Sequence, residues 1–148
     1  MRRRTISAFL CAAVVLLGAP ALATTMTVTT YESQIVSKTN YYRTSHHLVK
    51  LSSQSCAKKY AVARAQWMAK YRTLKHSSMT TILRNCHFTA VAENIAYGYS
   101  SGNAVVKAWM NSSGHRKNIL TAKYRYIGSG ARKDSRGVWW AVEIFGKK

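Results

Sequence analysis

The chain has 148 residues, with 23 Lys and Arg against 4 Asp and Glu and a formal net charge of +19. That length supports one domain with a real core and leaves no room for a second. A balance this one-sided spreads a positive field over the surface, which favours polyanionic surroundings and opposes self-association, so a monomer is expected.

Met1-Arg2-Arg3-Arg4 is a basic start, Ile6 to Leu17 is apolar, and Ala21-Leu22-Ala23 is a small-x-small site. This is the pattern of a secretory signal peptide over residues 1–23, cleaved after Ala23, and it predicts a secreted or extracellular protein. No other segment approaches the roughly 20 apolar residues of a spanning helix. Residues 24–148 then form the single domain, in which 20 basic residues stand against 4 acids, a charge of +16. Removing the leader removes Cys11 and leaves Cys56 and Cys86. In an oxidising compartment these two are expected to pair, closing a loop of about 30 residues and adding about 3 to 4 kcal/mol through the unfolded state; the alternative is two free, buried thiols.

Thr29-Thr30-Tyr31-Glu32 has the form of a capping box opening a helix to about His46, with Ile35, Val36, Thr39 and Tyr42 at helical spacing. His46-His47 would end it, where an imidazole suits the helix dipole. Ser53 is a candidate cap for a second helix to about Arg72, with Cys56, Tyr60, Ala63, Trp67, Met68 and Tyr71 facing inward. Shorter helices are predicted over Thr80 to Arg84 and Gly102 to Asn111, the latter capped by Asn103 with Val105, Val106, Trp109 and Met110 on its core face. Ile127 to Lys133 and Gly137 to Gly146 are predicted strands around the turn Asp134-Ser135-Arg136-Gly137. Val138, Trp140, Val142 and Ile144 share one face, and Trp139, Ala141, Glu143 and Phe145 the other. Two largely apolar faces imply a sheet covered on both sides.

The segment Ala92-Glu93-Asn94-Ile95-Ala96-Tyr97-Gly98 puts an acid into an apolar run of an acid-poor chain. A carboxylate in such company needs partners, and His76 and His115 are the candidates. With His76-Ser77, Asn85-Cys86, Trp109 to Leu120 and Tyr126-Ile127-Gly128-Ser129-Gly130, this block completes an ordered set. The set resembles the CAP superfamily of cysteine-rich secretory proteins, antigen 5 and pathogenesis-related proteins, in its compact bacterial branch. The likeness runs from about Thr29 to Gly146. It implies an α+β fold, a three-layer α-β-α sandwich with a central antiparallel sheet covered by helices on both faces.

By the same resemblance His76, Glu93 and His115 line a cleft that holds a divalent cation in some relatives, and Ser112 stands where many members have a second acid. Asn40 and Arg43 match positions that brace backbone; Arg64 replaces a common Trp, and His87 replaces Gly or another small residue and is expected to be a surface variation. Two imidazoles and a carboxylate make a chemically sound zinc set with one open position, so the expected cofactor is a cation such as zinc or none. Without metal, Glu93 would accept hydrogen bonds from one or both imidazoles.

The expected function is binding without turnover of a lipid, a divalent cation or an anionic cell-envelope component. The alternative is a metal-dependent hydrolase acting on peptides or wall material, or a triad built from Ser77 or Ser112. Neither serine lies in a nucleophile elbow. Lys123-Tyr124-Arg125-Tyr126 interleaves charge and aromatic rings but matches no RNA-recognition motif, so specific nucleic acid is not expected as a partner.

Overall fold

A computed structural model describes residues 25–148, so the expected leader and its cleavage point lie outside the described residues. Helix α1 (Val28–Ser45) begins at Thr27, whose Oγ1 accepts from the Thr30 amide. The expected capping box does not form, because Glu32 faces the sheet with Tyr31, Ile35, Thr39 and Arg43 along one stripe. Its carboxylate accepts from the Ala131 amide at 3.2 Å and pairs with Lys58 at 3.4 Å.

Strand β1 (Ser52–Ser53) occupies the position expected to cap the next helix. Gln54 caps it instead, its Oε1 accepting from the Ala57 amide at the start of α2 (Ser55–Tyr71). The buried face of α2 is Ala57, Ala61, Ala65, Met68 and Ala69, while Tyr60 and Trp67 are half-buried and Tyr71 is exposed. Small residues are needed there because α2 lies almost on the backbone of β3 (Tyr126–Lys133). A Cβ at Gly128 would overlap the Ala57 backbone, and one at Gly130 the Ala61 carbonyl. The apolar spacing of α2 points to larger residues; the glycines of β3 select the alanines.

Helix α3 (Met79–Asn85) is capped by Ser78, and Cys86 just after it bonds to Cys56 with a Cα–Cα distance of 5.5 Å. The disulfide therefore staples the first turn of α2 to the end of α3. His87 follows at φ +53°, a left-handed position that favours Gly, so it is more than a surface variation. Strand β2 (Ala90–Tyr97) then carries the Glu93 segment, which sequence reading left without an assigned strand. Helices α4 (Gly102–Asn111) and α5 (Ser113–Ile119) follow, α4 capped by Ser101 rather than Asn103. Strand β4 (Trp139–Lys147) closes the chain after a turn in which Gly137 has φ +80°.

The sheet order is β1-β3-β4-β2, with β3, β4 and β2 antiparallel and the short β1 parallel to β3. The two faces of β4 divide as the alternation predicts. Trp139, Ala141 and Phe145 pack with α1, α4 and α5 through Tyr31, Val105, Trp109 and Ile119. Trp140, Val142 and Ile144 pack with α2 and α3 through Ala61, Met68 and Ile82. The result is the expected α+β, three-layer arrangement.

Candidate functional site

Glu93 lies in the middle of β2 opposite Ile144, and its side chain is 1% exposed. A buried carboxylate needs donors, and the loop before α3 supplies three. Oε1 accepts from the Ser77 amide at 2.8 Å and lies 2.9 Å from His76 Nδ1, while Oε2 accepts from Ser77 Oγ at 2.6 Å. The His76 ring is 60% exposed. Because a carboxylate offers no proton, Nδ1 donates and Nε2 faces outward.

Ser112 ends α4 and precedes α5, and its Oγ is 2.9 Å from His115 Nδ1. His115 is half-buried beside Trp109, at a ring separation of 6.4 Å. Burial, and after it the nearby His76, lowers the His115 pKa and favours its neutral ring. The four sequence-derived cleft residues thus form two pairs, Glu93 with His76 and Ser112 with His115.

A second polar layer beneath the cleft holds these pieces in place. Asn94 is fully buried and donates through Nδ2 to the His115 carbonyl at 3.1 Å and to Glu143 Oε1 at 2.8 Å. Asn118 donates to Asn94 Oδ1 at 2.8 Å and to the Glu93 carbonyl at 3.3 Å. Thr39 of α1 donates to Glu143 Oε2 at 2.7 Å. Glu143 is fully buried, and burial raises its pKa to about 7 against the pull of the Thr39 and Asn94 hydrogen bonds. Sequence reading passed over Glu143, although an acid on the Trp139-Ala141-Phe145 face is the signal that singled out Glu93. Arg43 and Asn40 brace backbone as expected. Arg43 donates to the carbonyls of Val49, Ile119, Thr121 and Tyr124, and Asn40 exchanges two hydrogen bonds with Leu51.

For a cation, the Nε2 atoms of His76 and His115 are the remaining donors, since each Nδ1 already has a partner. Both Glu93 oxygens already accept hydrogen bonds, and the carboxylate stands behind His76, the position of one that orients an imidazole ligand. Among the described residues, no three His, Cys, Asp or Glu side chains converge as a ready metal cage. The donor set therefore fits a two-imidazole contact with solvent or ligand completing the shell. A triad is not assembled either, since the acid is on His76 and Ser112 is on His115. Away from the cleft, a cavity of about 560 Å3 opens between α1 and α2, with Val36, Ile127 and the Glu32–Lys58 pair in its wall.

Residues 36–145 match the Cysteine-rich secretory protein family, CAP. Among curated relatives, the uncharacterized protein YkwD of Bacillus subtilis is 35% identical over 127 residues, covering 81% of this chain and 49% of its own length. The chain thus spans about half of that relative. Among solved structures, an extracellular protein of Bacillus anthracis containing a SCP domain superposes with a TM-score of 0.72 at 27% identity. That match covers 82% of this chain and 41% of the other. An outer surface protein of Borrelia burgdorferi gives 0.71 at 25% identity, over 78% of this chain and 91% of the other.

Proposed function

The chain belongs to the cysteine-rich secretory protein family, CAP, and on that premise we propose that it is an exported binding module. Its ligand is an anionic polymer of the cell envelope, held without turnover. One observation carries this reading: all four acids of the chain, Glu32, Glu93, Asp134 and Glu143, are buried, none more than 9% exposed. Each is consumed inside, Glu32 by Ala131, Glu93 by Ser77, Glu143 by Thr39 and Asp134 by the Arg136 and Val138 amides. Of the 20 basic residues after the leader only Arg43 is buried; Lys58 and Arg136 pair with Glu32 and Asp134, and the other surface lysines and arginines have no carboxylate partner among the described residues. A surface of one sign attracts polyanions regardless of their sequence and is screened by salt.

The pairing in the cleft disfavours a serine triad, because no imidazole there has both a serine and an acid. The orientation of His76 by Glu93 favours a second ligand, a divalent cation shared by His76 and His115. Both readings have direct tests. Retention of the mature protein on isolated wall polymer should be strong at low salt and fall steeply above physiological ionic strength; retention that ignores salt would refute the electrostatic reading. Zinc should raise the melting temperature of the native protein and not that of His76→Ala, and an unchanged difference would remove the cation.

A further inference from the structure

A groove of about 280 Å3 runs between α2 and the start of α3, and no part of the reading so far uses it. Tyr60, Arg64 and Trp67 form its α2 wall, with Ser77, Ser78 and Thr81 opposite. Trp67 packs against the exposed ring of Tyr71 at 5.0 Å and 44°, which makes a two-ring platform at the rim. Three cations surround it. The Arg64 guanidinium carbon lies over the Trp67 ring at 5.2 Å, Lys75 Nζ over the same ring at 6.0 Å, and Lys70 Nζ over the Tyr71 ring at 5.1 Å, so a stacking sugar takes the place of a lysine on a ring face. Arg64 Nε donates to Ser77 Oγ at 3.0 Å, the same hydroxyl that donates to Glu93. That bond fixes the guanidinium in the groove and joins the groove to the His76–Glu93 pair.

We propose that this groove binds an acidic polysaccharide: the Trp67–Tyr71 platform stacks on sugar faces, while Arg64, Lys70 and Lys75 take the carboxylates. The inference rests on the anionic-polymer reading above and adds to it a site and a polymer class. Two aromatic rings with a guanidinium held by Ser77 and two exposed lysines complement a chain in which apolar sugar faces alternate with charge. The size fits one or two units of an extended chain, being just below the roughly 300–1,000 Å3 of sites that enclose a whole small molecule. A lipid surface fits less well, because Trp67 and Tyr60 are half-buried in the wall of a recess and Tyr60 is tied to Asn85.

Of the four tryptophans, Trp109, Trp139 and Trp140 are at most 6% exposed, so a ligand that changes fluorescence without unfolding reports on Trp67. The test titrates the mature protein, at physiological salt, with oligogalacturonate, inorganic polyphosphate, single-stranded DNA and vesicles containing phosphatidylglycerol. Oligogalacturonate should quench the emission. Trp67→Leu, which retains apolar packing, and Arg64→Gln should each weaken its binding, followed calorimetrically, about tenfold. Polyphosphate binding at low salt should stay within about twofold in Trp67→Leu, since it needs charge and no stacking. Unchanged oligogalacturonate affinity in both variants would overturn the groove while leaving the anionic-polymer reading intact. Failure of every polyanion to bind the parent protein would sink both. Stronger quenching by the vesicles or the DNA than by oligogalacturonate would replace the polysaccharide with that ligand. Melting curves of the two variants show that they are folded, and a Lys147→Gln control shows the effect of removing one distant charge.

Discussion

Glu93 and Glu143 are both buried acids of the sheet, yet they differ in what solvates them. Glu93 takes three close hydrogen bonds from one loop, two of them from Ser77. Glu93→Gln retains an oxygen for His76 and the Ser77 amide, and Ser77 Oγ can turn to accept from the new amide, so the loss should be about 1 to 3 kcal/mol. Glu93→Leu strands all three donors and should cost about 3 to 5 kcal/mol, as for other broken buried charge pairs. Urea melts of the two variants give the comparison, and equal small losses would contradict the burial of this carboxylate. Glu143 has two donors and a pKa raised from 4.5 to about 7 by burial. Between these values the folded state holds a proton that the unfolded chain has released. Stability therefore falls as pH rises through that window, by about 3 kcal/mol in full. Glu143→Gln mimics the protonated acid, so variant and parent should match near pH 4 and diverge by pH 8, with the variant more stable. Taking the difference also cancels the opposite trend from His115, whose depressed pKa removes stability as pH falls below its ordinary 6.5. A difference that does not change with pH would show that burial leaves the Glu143 pKa at its unfolded value.

At the scale of elements, β3 and α2 are one unit joined backbone to backbone. Gly130→Ala pushes a methyl into the Ala61 carbonyl on a helix that cannot yield locally, and should cost about 3 kcal/mol. Gly114→Ala in α5, where nothing lies within 4 Å of a new Cβ, should instead be neutral or gain up to about 1 kcal/mol. Thermal melts distinguish them, and equal effects would mean that β3 and α2 are not in close contact. Replacing Cys56 and Cys86 together by Ala frees the loop they close and should lower stability by about 3 to 4 kcal/mol. The same contacts explain what the sequence made legible. Period-two alternation in β4 identified both of its faces, because the strand is buried on each side and every residue is committed. The α2 face was misjudged, since the glycines that demand small residues lie some 70 positions later in the chain. Strand β2 and helix α5 were missed for a related reason: Glu93, Asn94 and His115 interrupt the apolar pattern, and their partners come from other elements. Family resemblance brought His76, Glu93, Ser112 and His115 together as a set. Their division into two pairs, and the Asn94–Asn118–Glu143 layer below, depend on side-chain geometry that spacing does not encode.

At the scale of the whole molecule, the internal consumption of every acid gives the protein a surface charge whose sign pH does not reverse near neutrality. In a typical protein, mild acid or base changes net charge through dozens of exposed carboxylates and histidines, and adsorption can be reversed that way. Here all four carboxylates lie inside, and the lysines and arginines keep their protons well above neutrality. With 20 lysines and arginines after the leader against four acids, the charge stays strongly positive on both sides of neutrality. Electrophoretic mobility should therefore keep its cationic sign from about pH 5 to 9, and retention on a sulfonate resin should yield to added salt far more readily than to a shift in buffer pH. A protein built this way stays attached to an anionic matrix when its surroundings acidify, and lets go when they become saline.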